Sequence, residues 1–258
     1  MSVDYQLSGD VAVITLNRPD RFNAINADLA GGVVASMGRA ADEARAVVLT
    51  GAGKAFCSGA DLADLMDDYD SGGPDLGAFL DEIFHPMVHS IVDAKVPVVA
   101  AINGVAAGAG LGVSLGCDLR VMADSAFLTS AFTAIGLAPD SGTTWWLPQM
   151  VGVSKALELT MTNRRVSADE AKQLGLVVET EADEAVIDKA IEIAGGLADL
   201  VPDSLVTTRA LIRGGAGKSF EAALADELRE QGRLGKTPEH REGVEAFLEK
   251  RKADFRRF

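Results

Sequence analysis

The sequence predicts an α/β protein that ends in an all-helical region. Short β-rich runs alternate with helical patterns up to about residue 200, and only helical patterns follow. Hydrophobic residues make up 48% of the 258 positions, which is enough for a sizeable core. Aromatic residues reach only 5%, whereas there are 27 glycines, so we expect small aliphatic side chains on closely packed backbone. We therefore predict a core region over 1–199 and a helical region over 200–258.

The elements follow from periodicity and from turn and cap residues. A Ser-Gly-Asp turn at 8–10 predicts a hairpin, and Asn26 and Ser167 have the spacing of helix N-caps. The acidic, glycine-containing stretch 67–77 is interpreted as a mobile surface loop. The predicted strands are 3–7, 11–16, 46–50, 97–102, 118–123, 125–130 and 176–179. The predicted helices are 25–44, 79–94, 108–116, 143–150, 154–162, 168–174, 184–198, 203–212, 219–233 and 238–251.

Charge and cysteine content limit the class of protein. The formal charge of −14 argues against a general nucleic-acid surface, which needs clustered lysine and arginine. No apolar run reaches the roughly 20 residues that span a bilayer. The N-terminal stretch lacks the features of a signal peptide, and Cys57 and Cys117 do not make a disulfide framework. We expect a protein of the cytoplasm without a membrane partner.

Two glycine-rich stretches and one acid are the candidate functional site. GKAFCSGAD at 53–61 and INGVAAGAGLGVSLG at 102–116 each contain a point where the backbone must turn with little side-chain bulk. Such points let a ligand approach backbone amides closely. Two N–H groups that converge on one oxygen form an oxyanion hole. Asp140 follows Pro139 on a turn before an aromatic-rich helix, so the three features together suggest carbonyl chemistry.

Other interpretations of these motifs have weaker support. The spacing Gly108-x-Gly110-x-Gly112 departs from the dinucleotide-binding pattern. Gly112 to Gly116 matches the G-x-S-x-G nucleophile elbow with Ser114 as nucleophile and His240 as partner, but this serine falls inside a predicted helix. His85 and His89 have the spacing of a metal pair without a third ligand, so we predict no metal site. For Asp140 itself, a helix N-cap is the alternative to a catalytic role.

The chain resembles the enoyl-CoA hydratase/isomerase (crotonase) superfamily. The likeness lies in ITLNRPDRFNAI, GKAFCSGADL, INGVAAGAGLGVSLGCDLRV, GLAPDSGTTWWLPQMVG, RRVSADEAKQLGLV and EGVEAFLEKRKADF, which occur in the family's order. The resemblance covers essentially the whole chain. It implies a crotonase-type spiral of ββα units with a helical C-terminal trimerisation region. The implied substrate is an acyl group carried as a coenzyme A thioester, with no permanently bound cofactor.

The same resemblance implies the positions of the functional groups. The two oxyanion donors fall on the backbone N–H groups of Ala60 and Ala109. Hydratases of the family carry one glutamate where this chain has Gly112 and another where it has Phe132. The remaining acid, Asp140, occupies the turn where several isomerases of the superfamily, including epoxyphenylacetyl-CoA isomerases, place theirs.

An enolate mechanism would use these groups as follows. Asp140 would take a proton from the α carbon, and the enolate oxygen would rest on the two amides. A solvated aspartate has a pKa near ~3.9 and is a weak base. We expect burial among Phe132, Trp145 and Trp146 to raise that pKa.

The resemblance places coenzyme A contacts at both ends of the chain. They include Phe247 and Lys250 on the C-terminal helix, which we expect to come from a neighbouring subunit of a homotrimer or dimer of trimers. The remaining implied contacts are Arg21, Phe22, Ala24, Ala60, Asp61 and Leu62. We predict an isomerase that acts on an acyl-CoA. The alternatives are an enoyl-CoA hydratase and an acyl-CoA-binding protein with reduced catalysis.

Overall fold

Two parallel sheets, stacked by a repeating ββα path, make up the core of the chain. The computed structural model describes residues 1–63, 66 and 72–258. The strands are β1 (Val3–Ser8), β2 (Val11–Leu16), β3 (Ala46–Gly51), β4 (Ala55–Cys57), β5 (Val98–Ile102), β6 (Val105–Ala107), β7 (Leu119–Ala123), β8 (Phe127–Thr129), β9 (Val166–Ser167) and β10 (Glu179–Glu181).

The helices lie between and after these strands, and a π-helical turn, Leu80–Phe84, joins the second and third of them. They are α1 (Ala27–Glu43), α2 (Leu76–Phe79), α3 (His85–Val92), α4 (Ala109–Gly116), α5 (Thr143–Val151), α6 (Val153–Thr162), α7 (Ala168–Gln173), α8 (Val186–Ala198), α9 (Pro202–Gly215), α10 (Phe220–Leu234) and α11 (Pro238–Glu249). Among the described residues, no helix is both long and apolar enough to cross a membrane.

The strand order shows a spiral. The larger sheet runs β1-β2-β3-β5-β7-β10, antiparallel only between β1 and β2, and the smaller runs β4-β6-β8-β9. The pairs β3 and β4, β5 and β6, and β7 and β8 therefore each give one strand to the larger sheet and the next to the smaller. Helices follow each pair: α2 and α3 lead to β5, and α4 leads to β7. After the third pair, α5 and α6 lead to β9 in the smaller sheet before α7 returns the chain to β10. The predicted spiral of ββα units with a helical C-terminal region is thus confirmed.

Local sequence signals account for most element ends. The Asn26 side chain caps α1 by accepting a 3.0 Å bond from Leu29 N, and Ser167 caps α7 through Glu170 N at 3.3 Å. Every residue of β5 is fully buried, as expected for a central parallel strand with both faces covered.

Three predictions of local structure were wrong. β4 and β6 were missing from the predicted strands, because three-residue strands leave too little sequence for an alternating pattern. The strand predicted at 176–179 pairs instead at 179–181, since Arg120 Nε donates to the Leu176 carbonyl ahead of the ladder. The single helix predicted over 79–94 is instead two α-helical segments, α2 and α3, joined by the π turn. Of the loop predicted over 67–77, residues 67–71 lie outside the described residues, and Leu76 and Gly77 belong to α2.

The spiral depends on a close approach between α4 and β4. A Cβ added to Gly110 would lie 2.3 Å from the Cys57 carbonyl oxygen and 2.7 Å from Cys57 Cβ. Contacts this short force backbone to move. The glycines of this region therefore set how closely the second ββα turn stacks on the first.

We expect Gly110→Ala to destabilise the protein by about 1–3 kcal/mol, the usual cost of overpacking a tight core. Gly31→Ala is the matched control. Gly31 lies inside α1 with nothing within 4 Å of an added Cβ, so alanine should stabilise the helix by about 0.5–1 kcal/mol. Urea unfolding of both variants measures the two free energies. Equal effects of the two substitutions would contradict the close approach.

Candidate active site

The site lies where the first and second ββα turns meet. The loop after β4 carries Gly59 and Ala60, and the loop after β6 carries Gly108 and Ala109. A Cβ added to Gly59 would lie 3.1 Å from the Ala107 carbonyl oxygen and 3.4 Å from Ala109 N. Gly59 also has a φ of 101°, which side chains rarely adopt. Glycine is therefore what allows the two loops to lie side by side.

The backbone leaves the two alanine amides free. Ile25 N donates to Gly59 O at 2.7 Å, and Asp61 N donates to Ile25 O at 2.9 Å. In this parallel bridge the N–H group of the residue between them, Ala60, points the opposite way. Ala109 is the first residue of α4, where an N–H group has no intrahelical partner. Among the described residues, no acceptor bonds either amide.

Both amides border a cavity of about 360 Å³. Its walls are mostly apolar, and Phe79 and Phe84 form a tilted aromatic pair with centroids 5.2 Å apart. Ser58 and Asp140 are the polar side chains on its lining. The remaining lining residues are Gly59, Ala60, Leu62, Leu76, Leu80, Gly108, Ala109, Ala131, Phe132, Ile135, Leu137, Ala138 and Pro139. Among the described lining residues, two amide donors and one carboxylate therefore share a cavity that suits an apolar group.

Asp140 is not a helix cap. The N-cap of α5 is Gly142, and no side-chain hydrogen bond caps this helix. The Asp140 carboxylate instead accepts a 2.8 Å bond from the Ser141 hydroxyl. Ser141 itself has a left-handed φ of 50°, which is uncommon outside glycine and often marks functional turns. The turn therefore holds the Asp140 side chain at the cavity rather than at the helix end.

The electrostatic environment of Asp140 raises its pKa. Burial is the largest cause, and it disfavours the charged carboxylate. The hydrogen bond from Ser141 and the positive charge of His85 lower the pKa by smaller amounts. Our expectation about the aromatic surroundings was partly wrong. Phe132 lines the cavity, but Trp145 and Trp146 line a separate surface depression with Arg213.

The structure also shows what replaces the hydratase glutamates of the family. A Cβ added to Gly112 would lie 2.6 Å from the Ser141 carbonyl oxygen and 2.9 Å from Ser141 Cβ. The Asp140 turn thus occupies the space that a side chain at position 112 would need. At the second position, the buried Phe132 ring approaches within 3.9 Å of a Cβ added to Gly108. A glutamate side chain at position 112 would fit only if this turn moved.

The loop with three predicted coenzyme A contacts packs on the oxyanion loop. Ser58 N donates to Phe22 O at 3.0 Å, and the Ser58 hydroxyl reaches Arg21 O at 3.4 Å. Ala24 lies next to Ile25, which bonds the Gly59 carbonyl. These hydrogen bonds hold the Arg21–Ala24 loop next to the loop that carries Ala60.

The remaining predicted contacts differ in their surroundings. Leu62 lines the cavity and is half-exposed, but the Asp61 carboxylate is buried in an ion pair with Arg18 at 2.8 Å. Phe247 and Lys250 are exposed on α11 and do not line the cavity of their own chain.

Two competing interpretations do not fit the structure. Ser114 is fully buried within α4, and its hydroxyl donates to the Leu111 carbonyl at 2.7 Å, so it cannot be an exposed nucleophile. The two histidines contact different carboxylates: His85 lies beside Asp81, and His89 lies beside Asp93. Among the described residues, no cluster of three or more metal-ligating side chains is present.

Two free backbone amides on one cavity can hold the oxygen of a carbonyl group as negative charge develops on it. The profile of the enoyl-CoA hydratase/isomerase family matches residues 6–257. The chain therefore belongs to the enoyl-CoA hydratase/isomerase family of the crotonase superfamily, whose members act on coenzyme A thioesters.

The relatives of this chain include proteins named as hydratases and proteins named as isomerases. A Rhodobacter capsulatus protein named probable enoyl-CoA hydratase is 41% identical over 98% of this chain and 97% of its own length. The 1,2-epoxyphenylacetyl-CoA isomerase of Escherichia coli is 35% identical over 95% and 94%. A Mycobacterium abscessus crystal structure described as an enoyl-CoA hydratase/isomerase has a TM-score of 0.91 at 35% identity, covering 98% of both chains.

We expect Gly59→Ala to weaken binding of a saturated acyl-CoA by at least about tenfold, or ~1.4 kcal/mol. The added methyl group would push the two amide-bearing loops apart. Gly175→Ala is the matched control, because Gly175 has a similar strained φ of 74° but nothing within 4 Å of an added Cβ. Isothermal titration calorimetry gives both affinities. The same loss in both variants would mean that backbone strain, not loop spacing, is responsible.

Proposed function

We propose that this protein is an acyl-CoA isomerase that forms a thioester enolate, with Asp140 as its proton shuttle. The observation that carries the proposal is the pair of free amides, Ala60 N–H and Ala109 N–H, on the same cavity as Asp140, the one carboxylate among its described lining residues, which is half-buried. The amides would hold the thioester oxygen as negative charge develops on it. Stabilisation of this kind is usually the largest contribution to such catalysis.

The proton has a defined path in this proposal. Asp140 removes the proton from the α carbon, and the C–H electron pair moves into the enolate held by the two amides. The same carboxylic acid then returns the proton at the γ carbon, which shifts the double bond into conjugation. One acid suffices because no water is added. A raised pKa suits both halves of this task, since the group must accept a proton and later release it.

Gly112 and Phe132 favour isomerisation over hydration. A hydratase needs groups that position and deprotonate water. Here the Asp140 turn fills the space beside Gly112, and an aromatic ring stands at the second position. The apolar walls also give water few partners in the cavity. Enoyl-CoA hydratase remains the second candidate, because a relative at 41% identity bears that name.

We also propose that the chain works as a homotrimer or a dimer of trimers in the cytoplasm. Large apolar side chains are exposed on the C-terminal helices, among them Ile212, Leu228, Phe247 and Leu248. Exposed apolar side chains in this number favour contact with another subunit. A neighbouring α11 would then supply Phe247 and Lys250 to the coenzyme A site, where a lysine suits phosphate oxygens. The boundary at residue 200 likewise stays a prediction.

Deuterium exchange tests the proposed base. Incubated in heavy water with a saturated acyl-CoA, the wild-type protein should exchange the α proton, and Asp140→Asn should lose at least about 10²-fold of that rate. Mass spectrometry follows the exchange. Asp75→Asn is the control, because Asp75 caps α2 near the same cavity wall and asparagine caps equally well.

Two results would contradict the proposal. Exchange that survives in Asp140→Asn would mean that another group is the base. Faster addition of water to a 2-enoyl-CoA than isomerisation of a 3-enoyl-CoA would favour the hydratase.

The pH dependence gives a second test. A base works only when deprotonated, so activity should fall as pH drops through the raised pKa of Asp140. Ser141→Ala removes a hydrogen bond that lowers this pKa, so the acid limb should move to higher pH. Initial rates of isomerisation across a pH series locate the limb in both proteins. A limb that stays in place or moves to lower pH in Ser141→Ala would exclude Asp140 as the titrating base.

A further inference from the structure

His85 lies on a helix whose residues line the same two concavities as the Asp140 turn. Leu80 and Phe84, in the π turn, line the cavity together with Pro139 and Asp140. Farther along α3, Val88 and His89 line the neighbouring depression together with Gly142 and Trp145. The helix 80–89 and the turn 139–142 therefore run side by side.

Along this helix, His85 lies between the residues that line the cavity and those that line the depression. His85 follows Phe84, which faces the cavity, and lies three and four residues before Val88 and His89. Residues three and four apart share a helix face. Asp140 likewise lies between Pro139 on the cavity and Gly142 on the depression. The two side chains thus lie on neighbouring elements, and the positive charge of His85 lowers the pKa of Asp140 by a small amount.

A π turn directly before His85 sets the direction in which its side chain leaves the helix. Five residues, Leu80–Phe84, form a turn that is one residue wider than an α-helical turn. The extra residue changes the angle at which α3 presents the side chains that follow. π turns of this kind occur frequently at functional sites.

The charged groups around His85 suit a group that gains and loses protons. Its Nδ1 lies 3.5 Å from Asp81 Oδ1, one turn earlier, and both side chains are exposed to solvent. Because this carboxylate lies at Nδ1, the other ring nitrogen, Nε2, can exchange a proton with a different group. Three other helices also pack on this one: α1, α4 and α9. The buried face of α1 is apolar, and α4 has no titratable side chain. Arg209 and Arg213 of α9 donate to the Val92 carbonyl at the other end of α3. Asp81 and Asp140 are charged groups on the elements next to His85.

We infer that His85 relays protons between Asp140 and solvent, so that the site contains a second acid–base group. The inference rests on the proposed function, because the relay begins with the proton that Asp140 removes. Asp140 is partly buried and faces an apolar cavity, whereas His85 is exposed. After proton abstraction, the Asp140 carboxylic acid passes its proton to neutral His85, directly after a side-chain rotation or through one solvent molecule. The imidazolium releases that proton to bulk water and takes up another for the return.

This relay separates two fates of the abstracted proton. Without it, Asp140 hands the same proton to the γ carbon. With it, the proton is replaced from solvent before the enolate collapses. In heavy water, the product therefore gains deuterium only as fast as His85 exchanges protons between Asp140 and the solvent.

The test measures deuterium in the product per turnover while a 3-enoyl-CoA is isomerised in heavy water. His85→Asn should reduce this ratio by about tenfold or more, within the range that one acid–base group contributes, while isomerisation itself continues. His89→Asn is the matched control, since His89 is one turn away, is also exposed and is paired with Asp93 at 2.9 Å. This control should keep the wild-type ratio. Added imidazole should restore labelling in His85→Ala, which a purely structural role would not predict.

The outcomes separate the relay from the proposed function. A wild-type ratio in His85→Asn overturns the relay, as does a wild-type protein that isomerises without solvent label. The isomerase proposal survives either result. If Asp140→Asn still isomerises and labels its product at the wild-type rate, the proposed function fails, and the relay fails with it. Equal losses in His85→Asn and His89→Asn would also overturn the relay, because they would indicate a general effect on α3.

Discussion

The close contact between the β4 loop and the start of α4 is the constraint on which this structure depends. Gly59 approaches the Ala107 carbonyl, and Gly110 approaches the Cys57 carbonyl, at distances that exclude a side chain. These contacts hold the smaller sheet against the second ββα turn. They also leave the amides of Ala60 and Ala109 free on one cavity. The packing that makes the core dense is thus the packing that creates the site.

The third ββα turn decides which chemistry that site can carry. Its Asp140–Ser141 turn occupies the space next to Gly112, so a side chain at position 112 would require this turn to move. The helical C-terminal region supports this arrangement from outside. Arg213 stacks over Trp146 at 4.6 Å, and the Trp146 indole packs against Gly142 in the same turn.

Asp118 connects that region to the core. Its carboxylate accepts bonds from Arg209 at 2.9 Å and from Arg213 at 3.1 Å, both on α9, and from Val98 N at the start of a central strand. Charges this poorly exposed are stable only when paired and hydrogen-bonded, and the two arginines also bond backbone carbonyls of the core. The last helices therefore share an ionic contact with the strands that carry the site.

Much of this protein follows from sequence alone, because the signals involved are local. The caps at Asn26 and Ser167, the buried run of β5, the glycine turns and the order of family motifs need no tertiary contact to be read. Three features depended on long-range packing instead. The short strands β4 and β6 exist only because neighbouring strands pair with them, and the π turn at 80–84 has no signal in the residue pattern. The proximity of His85 to Asp140 joins residues 55 positions apart, so only the folded chain could bring them together.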